Sequence, residues 1–138
     1  MDKKIAVLTG GTSGIGMQTA LALKNAGYTV YELSRRAQGV EAAVKKAVDE
    51  IVAREGKIDV LVNNAGFGIS GAVEFTKTED AKRLFDTNFF GMVNMNRAVV
   101  PVMREAGQGR IVNISSVAGQ IPIPFQTYYS AAKAATNS

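Results

Sequence analysis

The chain has 138 residues, a formal net charge of +4, 46% hydrophobic residues and 20% charged residues. This length and composition predict one globular domain that buries its own core, and they exclude an intrinsically disordered protein. The sequence has no Cys and no His. This excludes thiol nucleophiles, disulfides, imidazole bases and ordinary zinc sites, and leaves acid–base chemistry to Tyr, Lys, Ser or carboxylates.

The N-terminus and the distribution of charge indicate where the protein acts. Met1-Asp2-Lys3-Lys4 leads directly into an apolar segment, so we expect no signal peptide. No apolar run approaches the roughly 18 residues of a membrane helix. Basic residues are scattered among acids, as in the stretch 41–55, and are not interleaved with aromatic residues. We therefore expect a cytoplasmic protein that binds neither a membrane nor nucleic acid.

A glycine-rich turn follows the first predicted strand, Lys4–Thr9. The turn Gly10-Gly11-Thr12-Ser13-Gly14-Ile15-Gly16 opens a predicted helix, Gly14–Ala26, which Gly27 ends. Backbone N–H groups at such a helix N-terminus are free to bind an anion. The glycine spacing is neither G-x-G-x-x-G nor that of a P-loop, which needs Lys where Met17 stands. The turn favours a pyrophosphate-bearing cofactor, although glycine-rich turns also occur for purely structural reasons.

Strands and helices alternate along the rest of the chain. Further strands are predicted at Tyr28–Leu33, Ile58–Val62 and Arg110–Ser115, and helices at Val40–Arg54, from the capping box Thr76-Lys77-Thr78-Glu79 to Met103, and at Tyr128–Ser138. Pro101 should kink or end the long helix, and Gln120–Gln126 is predicted to be an extended loop. The alternation predicts a Rossmann-like α/β fold: a doubly wound parallel sheet with helices on both faces, in three α/β/α layers.

Polar residues follow each predicted strand at the edge of the sheet where such folds bind ligands. They are the glycine turn, Ser34-Arg35-Arg36, Asn63-Asn64-Ala65-Gly66 and Ser115-Ser116, with Tyr129 and Lys133 beyond them. Tyr129 and Lys133 are four residues apart and share one helix face, where an ammonium favours a phenolate. Tyr–Lys pairs of this spacing are also common on ordinary surface helices, so the pair alone does not establish a catalytic site.

Five elements occur together in order: Thr9-Gly10-x-x-x-Gly14-Ile15-Gly16, Asn63-Asn64-Ala65-Gly66, Asn88, Ser116 and Tyr129-x-x-x-Lys133. Together they closely resemble the classical short-chain dehydrogenase/reductase family, over nearly the whole chain. The resemblance implies an oxidoreductase that transfers a hydride between a nicotinamide cofactor and a small-molecule carbonyl or secondary alcohol substrate. A non-catalytic dinucleotide-binding fragment or interaction module of such an enzyme is the alternative function.

The resemblance also implies a role for each matching residue. Tyr129 is the general acid/base, Lys133 assists it and holds the nicotinamide ribose, and Ser116 polarises the carbonyl. Asn88 holds a water that relays protons to Lys133. Ser115 is set aside, because on a strand its side chain would point away from that of Ser116. The residues expected to bind the cofactor are Gly10, Thr12, Ser13, Gly14, Ile15, Gly16, Ser34, Arg35, Arg36, Asn64, Ala65, Gly66, Tyr129 and Lys133.

The end of the second strand bears on the choice of cofactor. By alignment with the family, Ser34 stands where a carboxylate would bind the ribose hydroxyls of NAD and repel a 2′-phosphate. Arg35 and Arg36 follow, and a planar guanidinium suits phosphate. We therefore expect NADP(H) to be preferred, with NAD(H) possible. The alternative is that both arginines are merely solvated.

The sequence departs from the family in two places. Between Arg36 and Ile58 there is room for one helix only, where the family has a helix, a strand and a second helix. The chain also stops at Ser138, one or two turns into the helix that carries Tyr129. We therefore expect a truncated fold: residues 1–138 as one NAD(P)-binding Rossmann domain, incomplete at its C-terminus. A homo-oligomer is expected for a full-length relative only. Phe67-Gly68-Ile69 and the segment 121–125 are expected to form an apolar edge of the pocket.

Overall fold

The computed structural model describes residues 3–33 and 41–138. In chain order the elements are β1 (Lys4–Thr9), α1 (Gly14–Asn25), β2 (Tyr28–Leu33), α2 (Glu41–Glu55), β3 (Val60–Asn63), α3 (Thr78–Phe85), α4 (Gly91–Glu105), β4 (Arg110–Asn113) and α5 (Thr127–Thr136). A π-helical segment, Asp86–Phe90, joins α3 to α4, and short 3₁₀ turns lie at Val73–Phe75 and Val117–Gly119.

The four described strands form one parallel sheet in the order β2-β1-β3-β4. The pairing registers place Lys4 opposite Tyr28, Ala6 opposite Val60 and Val60 opposite Arg110. Because all four strands run in the same direction, their carboxyl ends share one edge of the sheet. Every segment that follows a strand therefore starts at that edge.

Helices cover both faces of the sheet. Against α2 and α4 lies the larger core, Ile5, Val7, Val44, Val48, Ile51, Ile58, Leu61, Met95, Val99 and Met103. Against α1 lies a smaller core, Leu8, Ala20 and Val62. The side chains of β1 are fully buried from Ile5 to Leu8, and burial of each of Ile5, Val7 and Leu8 contributes about 1.5–3 kcal/mol relative to an exposed side chain. The predicted three-layer α/β/α fold is confirmed.

Two predicted strands have wrong bounds: β3 begins two residues later and ends one residue later than predicted, and β4 ends two residues earlier. The predicted strand Ile58–Val62 is Val60–Asn63, and the predicted strand Arg110–Ser115 ends at Asn113. Asn63 pairs with Asn113 in the ladder, and the Asn63 Nδ2 donates hydrogen bonds to Oδ1 of Asn113 and of Asn96, both at 2.9 Å. Side-chain amides thus continue the pairing beyond the apolar residues.

The predicted capping box is also wrong. α3 begins at Thr78, and Lys77 occupies the N-cap position without a side-chain capping bond. The hydroxyl of Thr76 instead donates a hydrogen bond to the carbonyl of Ala72 at 3.0 Å, within the preceding 3₁₀ turn. The sequence pattern fits a capping box, but the Thr76 hydroxyl is hydrogen-bonded within this local turn and does not cap the helix.

The other predicted helices differ from the structure by one or two residues at their ends. Pro101 lies inside α4, which continues to Glu105, so the proline does not end that helix. Val40, the predicted start of α2, lies outside the described residues. α2 is the one helix described between β2 and β3, which agrees with the room the sequence leaves there.

Hydrogen bonds at the C-terminus of α2 fasten that helix to the sheet. Lys3 Nζ donates to both carboxylate oxygens of Glu55, at 2.8 and 2.7 Å, and the Tyr31 hydroxyl donates to Oε1. These two donors, Lys3 first, hold the pKa of the Glu55 carboxyl below its usual value of 4.5. α2 is therefore fixed against β1 and β2, away from the edge where the strands end.

We expect Gly16→Ala to destabilise the turn between β1 and α1. A Cβ at Gly16 would lie 2.1 Å from the Gly10 carbonyl oxygen and 2.4 Å from Asn64 Nδ2. Overpacking against backbone that cannot move away should lower the free energy of unfolding by about 3 kcal/mol, measured by urea denaturation. Gly107→Ala is the control, since Gly107 has φ +68° and open space around its Cβ position, and it should cost only about 1–2 kcal/mol. Equal losses in the two variants would contradict the steric argument.

Candidate functional site

A cleft of about 320 Å³ opens at the carboxyl ends of β1, β3 and β4. It is lined by Gly10, Thr12, Ser13, Ile15, Gly16, Asn64, Ala65, Gly66, Phe67, Gly68, Ile114, Ser115, Tyr129 and Lys133. The structure thus brings the predicted glycine turn, the asparagine-containing segment and the Tyr–Lys pair to one space.

The glycine turn presents bare backbone to this cleft. Gly10 and Gly14 have φ values of +69° and +54°, a region that favours glycine. Ser13 is the N-cap of α1 but makes no side-chain capping bond, and the first turn of α1 contains no acidic residue. The first N–H groups of a helix lack intrahelical partners. An anion would therefore meet backbone donors here and no carboxylate of the first turn.

Hydrogen bonds fix the turn to the segment after β3. Asn64 Nδ2 donates to the carbonyls of Thr9 and Gly10, at 3.2 and 3.0 Å. The Thr9 hydroxyl accepts from the backbone N–H groups of Asn64 and Ala65, both at 3.1 Å. The glycine turn and the segment after β3 form two walls of the cleft, and these bonds hold them at a fixed distance from each other. The sequence reasoning assigned Thr9 no such part, although a threonine that ends an otherwise apolar strand was a possible signal.

Asn88 supports a cleft wall and does not line the cleft. It lies on the π-helical segment and is 3% exposed. Its Oδ1 accepts from the Phe67 backbone N–H at 3.0 Å, and its Nδ2 donates to the Phe67 carbonyl at 2.8 Å. Both polar atoms of the side chain thus position the wall through Phe67. The water-holding role of Asn88 stays a prediction.

Tyr129 and Lys133 project from α5 towards the segment that follows β3. Lys133 Nζ lies 5.9 Å from the centre of the Tyr129 ring and donates to the Ile114 carbonyl at 2.7 Å. A Cβ at Gly66 would lie 3.7 Å from Nζ, and one at Gly68 would lie 3.9 Å from Tyr129 Cδ2. Lys133 is 5% exposed, and this burial lowers the pKa of its ammonium group.

The two serines after β4 lie in different surroundings. Ser115 lines the cleft, and its hydroxyl donates to the Lys133 carbonyl at 3.2 Å. Ser116 is not among the lining residues, and its hydroxyl accepts from the Ala118 N–H at 3.2 Å. Because β4 ends at Asn113, the strand alternation that set Ser115 aside does not extend to these residues. The assignment of Ser116 stays a prediction.

The expected apolar edge lies beside the cleft. Phe67 and Gly68 line it, and the Gly71 N–H donates to the Phe125 carbonyl at 2.8 Å, which joins the segment 121–126 to the same wall. Ile121 is 66% exposed and Phe125 is 67% exposed. The predicted extended loop contains turns, and Phe125 has φ +62°, which is unusual for a bulky residue.

Ser34, Arg35 and Arg36 lie outside the described residues. Within 3–33 and 41–138, no cluster of three or more Asp or Glu side chains is arranged to hold a metal ion. Over the same ranges, no helix has the length and apolar character that crossing a membrane requires.

We expect Lys133→Met to change how stability depends on pH. Burial lowers the pKa of Lys133 in the folded chain below the value of about 10.4 in the unfolded chain. Between these two pKa values the unfolded chain binds more protons, so rising pH stabilises the fold. Lys133→Met has no titratable group at this position and therefore lacks this gain in stability with pH. Urea denaturation from pH 7 to about pH 10 should therefore show the unaltered chain gaining stability relative to Lys133→Met.

Lys46→Met is the matched control for this experiment. Lys46 is exposed on α2, so its replacement should leave the pH dependence of stability unchanged. A constant difference between the unaltered chain and Lys133→Met over the whole range would contradict a buried ammonium at position 133.

The arrangement matches that of known proteins in sequence and in structure. The family model for short chain dehydrogenase matches residues 38–138. A 3-ketodihydrosphingosine reductase of Bacteroides thetaiotaomicron is 42% identical over 96% of this chain and 54% of its own length. ElxO with NADP bound is 32% identical, with a TM-score of 0.92, over 96% of this chain and 63% of that chain. NAD⁺-bound xylitol dehydrogenase is 31% identical, with a TM-score of 0.91, over 96% and 60%.

These matches extend over almost the whole of this chain. The chain spans about half the length of the curated relatives it matches, 54% for each of the first two. The family model alone matches well over half of the chain. The chain belongs to the short-chain dehydrogenase/reductase family.

Proposed function

We propose that this chain carries the cofactor-binding and acid–base part of an NADP-dependent oxidoreductase that acts on a carbonyl or secondary alcohol. The observation that carries the proposal is the single cleft in which the glycine turn faces Tyr129 and Lys133. An anion-binding turn can hold the pyrophosphate of a dinucleotide, and a phenol beside an ammonium can transfer a proton.

The residues present fit a nicotinamide dinucleotide. The turn offers backbone donors, and the first turn of α1 contains no carboxylate. The cleft volume of about 320 Å³ is at the lower end of the range for small-molecule sites. The turn would hold the pyrophosphate, Asn64, Ala65 and Gly66 the adenosine side, and Lys133 the nicotinamide ribose. When bound, the nicotinamide supplies or accepts the hydride.

Tyr129 would move the proton. In reduction its hydroxyl donates a proton to the carbonyl oxygen, and in oxidation its phenolate accepts the proton of the alcohol. Lys133, whose ammonium lies 5.9 Å from the ring centre, would stabilise the phenolate. Ser116 would hydrogen-bond the carbonyl oxygen. Ser115 is a second candidate for that contact, because it is the serine that lines the cleft.

The test of this proposal is a titration of the 138-residue chain with NADPH, followed by fluorescence, and then an assay of NADPH consumption with a panel of ketones. We expect saturable binding and NADPH oxidation with at least one ketone. Binding without oxidation would favour the alternative, a nucleotide-binding module without turnover. Absence of binding in a chain shown to be folded by circular dichroism would overturn the proposal.

We expect Tyr129→Phe to remove turnover and leave cofactor binding intact. Loss of a general acid should lower kcat by about 10²–10⁴-fold. The affinity for NADPH should change little, because the ring remains. Tyr128→Phe is the control, since it removes the neighbouring hydroxyl on the same helix. If Tyr129→Phe retains the kcat of the unaltered chain, Tyr129 is not the general acid.

We expect Arg35→Asp to reverse the cofactor preference. A charge-assisted hydrogen bond contributes about 1.5–3 kcal/mol, so its loss should weaken NADPH binding by about 10-fold or more. Binding of NADH should be maintained or improved, because a carboxylate accepts hydrogen bonds from the ribose hydroxyls. Arg104→Asp, an exposed position at the end of α4, is the control. Equal binding of NADPH and NADH by the unaltered chain would contradict the preference.

A further inference from the structure

The strand β2 lies at an open edge of the described sheet. The strand order is β2-β1-β3-β4, so β1 is the one described strand that pairs with β2. Natural edge strands are commonly short, or they carry proline or lysine, which discourage pairing with another chain. β2 has six residues, none of them Pro or Lys, and its aromatic and β-branched side chains favour strand pairing. The edge is therefore suited to pairing with a further strand.

The register with β1 shows which backbone groups of β2 point away from the sheet. The Gly10 N–H donates to the Leu33 carbonyl at 3.4 Å, so the backbone groups of Leu33 point towards β1. The N–H and C=O of one strand residue point to the same side, and successive residues alternate between the two sides. Tyr28, Val30 and Glu32 therefore direct their N–H and C=O groups outward. No described strand lies on that side to pair with them.

The flank of α1 beside this edge carries exposed apolar side chains. Lys24 lies on that flank, because its Nζ is 3.7 Å from Glu32 Oε1. At about 100° per residue, Met17, Leu21 and Lys24 lie within about 60° of one another around the helix axis. Met17 is 43% exposed and Leu21 is 48% exposed. These two residues form an apolar strip along the open edge, on the α1 face of the sheet.

We infer that the β2 edge is a dimerisation surface and that its partner is a second copy of this chain. The two β2 strands pair antiparallel about a twofold axis perpendicular to the sheet, which keeps both α1 helices on one face. Val30 packs on that face, and the alternate residues Tyr28 and Glu32 share it. With Val30 opposite Val30 of the second copy, Tyr28 lies opposite Glu32. This register pairs every outward N–H and C=O group with one of the second copy.

The side chains are complementary in the same register. Lys4 Nζ lies 5.6 Å from the centre of the Tyr28 ring, and Tyr28 lies opposite Glu32 of the second copy. Opposite charges are thereby brought together across the two strands, which stabilises their pairing. The apolar strips of the two α1 helices face each other over the same axis. A second copy therefore supplies the strand, the counter-charge and the apolar contact together, which an unrelated extended peptide would not.

Sedimentation equilibrium of the 138-residue chain, without cofactor and over a range of concentrations, tests this surface. We expect a monomer of 14.6 kDa in equilibrium with a species of twice that mass. Val30→Pro removes an outward N–H from each copy and no bond to β1, so the dimer dissociation constant should rise about 30-fold. Leu21→Glu places like charges on the two facing strips and should raise the dissociation constant about tenfold or more.

Matched controls lie at the other edge of the sheet and on the other flank of α1. The Arg110 N–H donates to the Asp59 carbonyl at 2.9 Å, so the next residue, Ile111, directs its N–H outward at the β4 edge. Ile111→Pro therefore removes the corresponding donor from the other edge. Ala22→Glu adds the same charge as Leu21→Glu but lies about 200° around α1 from Lys24. Both controls should dimerise as the unaltered chain does.

Two outcomes would overturn the inference. One is an unaltered chain that stays monomeric at its highest soluble concentration. The other is a dimer whose dissociation constant is unchanged in folded Val30→Pro or in folded Leu21→Glu, because the copies would then meet at another surface. Circular dichroism shows whether each variant is folded. If Val30→Pro does not fold, the comparison of Leu21→Glu with Ala22→Glu decides, since both positions are exposed on a helix.

Discussion

The hydrogen bonds between Asn64 and the end of β1 are the constraint on which the site depends. The Asn64 side chain donates to the Thr9 and Gly10 carbonyls, and the Thr9 hydroxyl accepts from the backbone N–H groups of Asn64 and Ala65. Both partners are fixed by the adjacent parallel strands β1 and β3. Glycine permits the shape of the turn, and the side chains and the sheet together hold it in place.

A second constraint comes from burying a cation. Lys133 is almost fully buried, and the Ile114 carbonyl accepts a hydrogen bond from its ammonium. Removing a charge from water is costly, so the position is difficult to explain by stability alone. The same placement brings Nζ within reach of Tyr129 and close to Gly66. Buried charged side chains that destabilise the fold and face a cleft are typical of functional sites.

Sequence reasoning predicted most elements and failed at particular ends. The bounds of β1 and β2 were correct, because apolar runs and glycines mark them clearly. The predicted end of β3 was one residue too early, because Asn63 extends the pairing with its side-chain amide. The predicted end of β4 was two residues too late, because the strand ends at Asn113. The strand alternation that set Ser115 aside does not reach Ser115 and Ser116, because β4 ends at Asn113.

The sequence by itself determined the order of elements, the family and the residue types that could supply the chemistry. Local patterns such as the glycine turn and the Tyr129–Lys133 spacing are sufficient for this, because they reflect short-range backbone geometry. Only the tertiary structure decided which residues share the cleft and that Asn88 is bonded to Phe67. These contacts join segments far apart in the chain, and their distances are set by sheet register and helix packing.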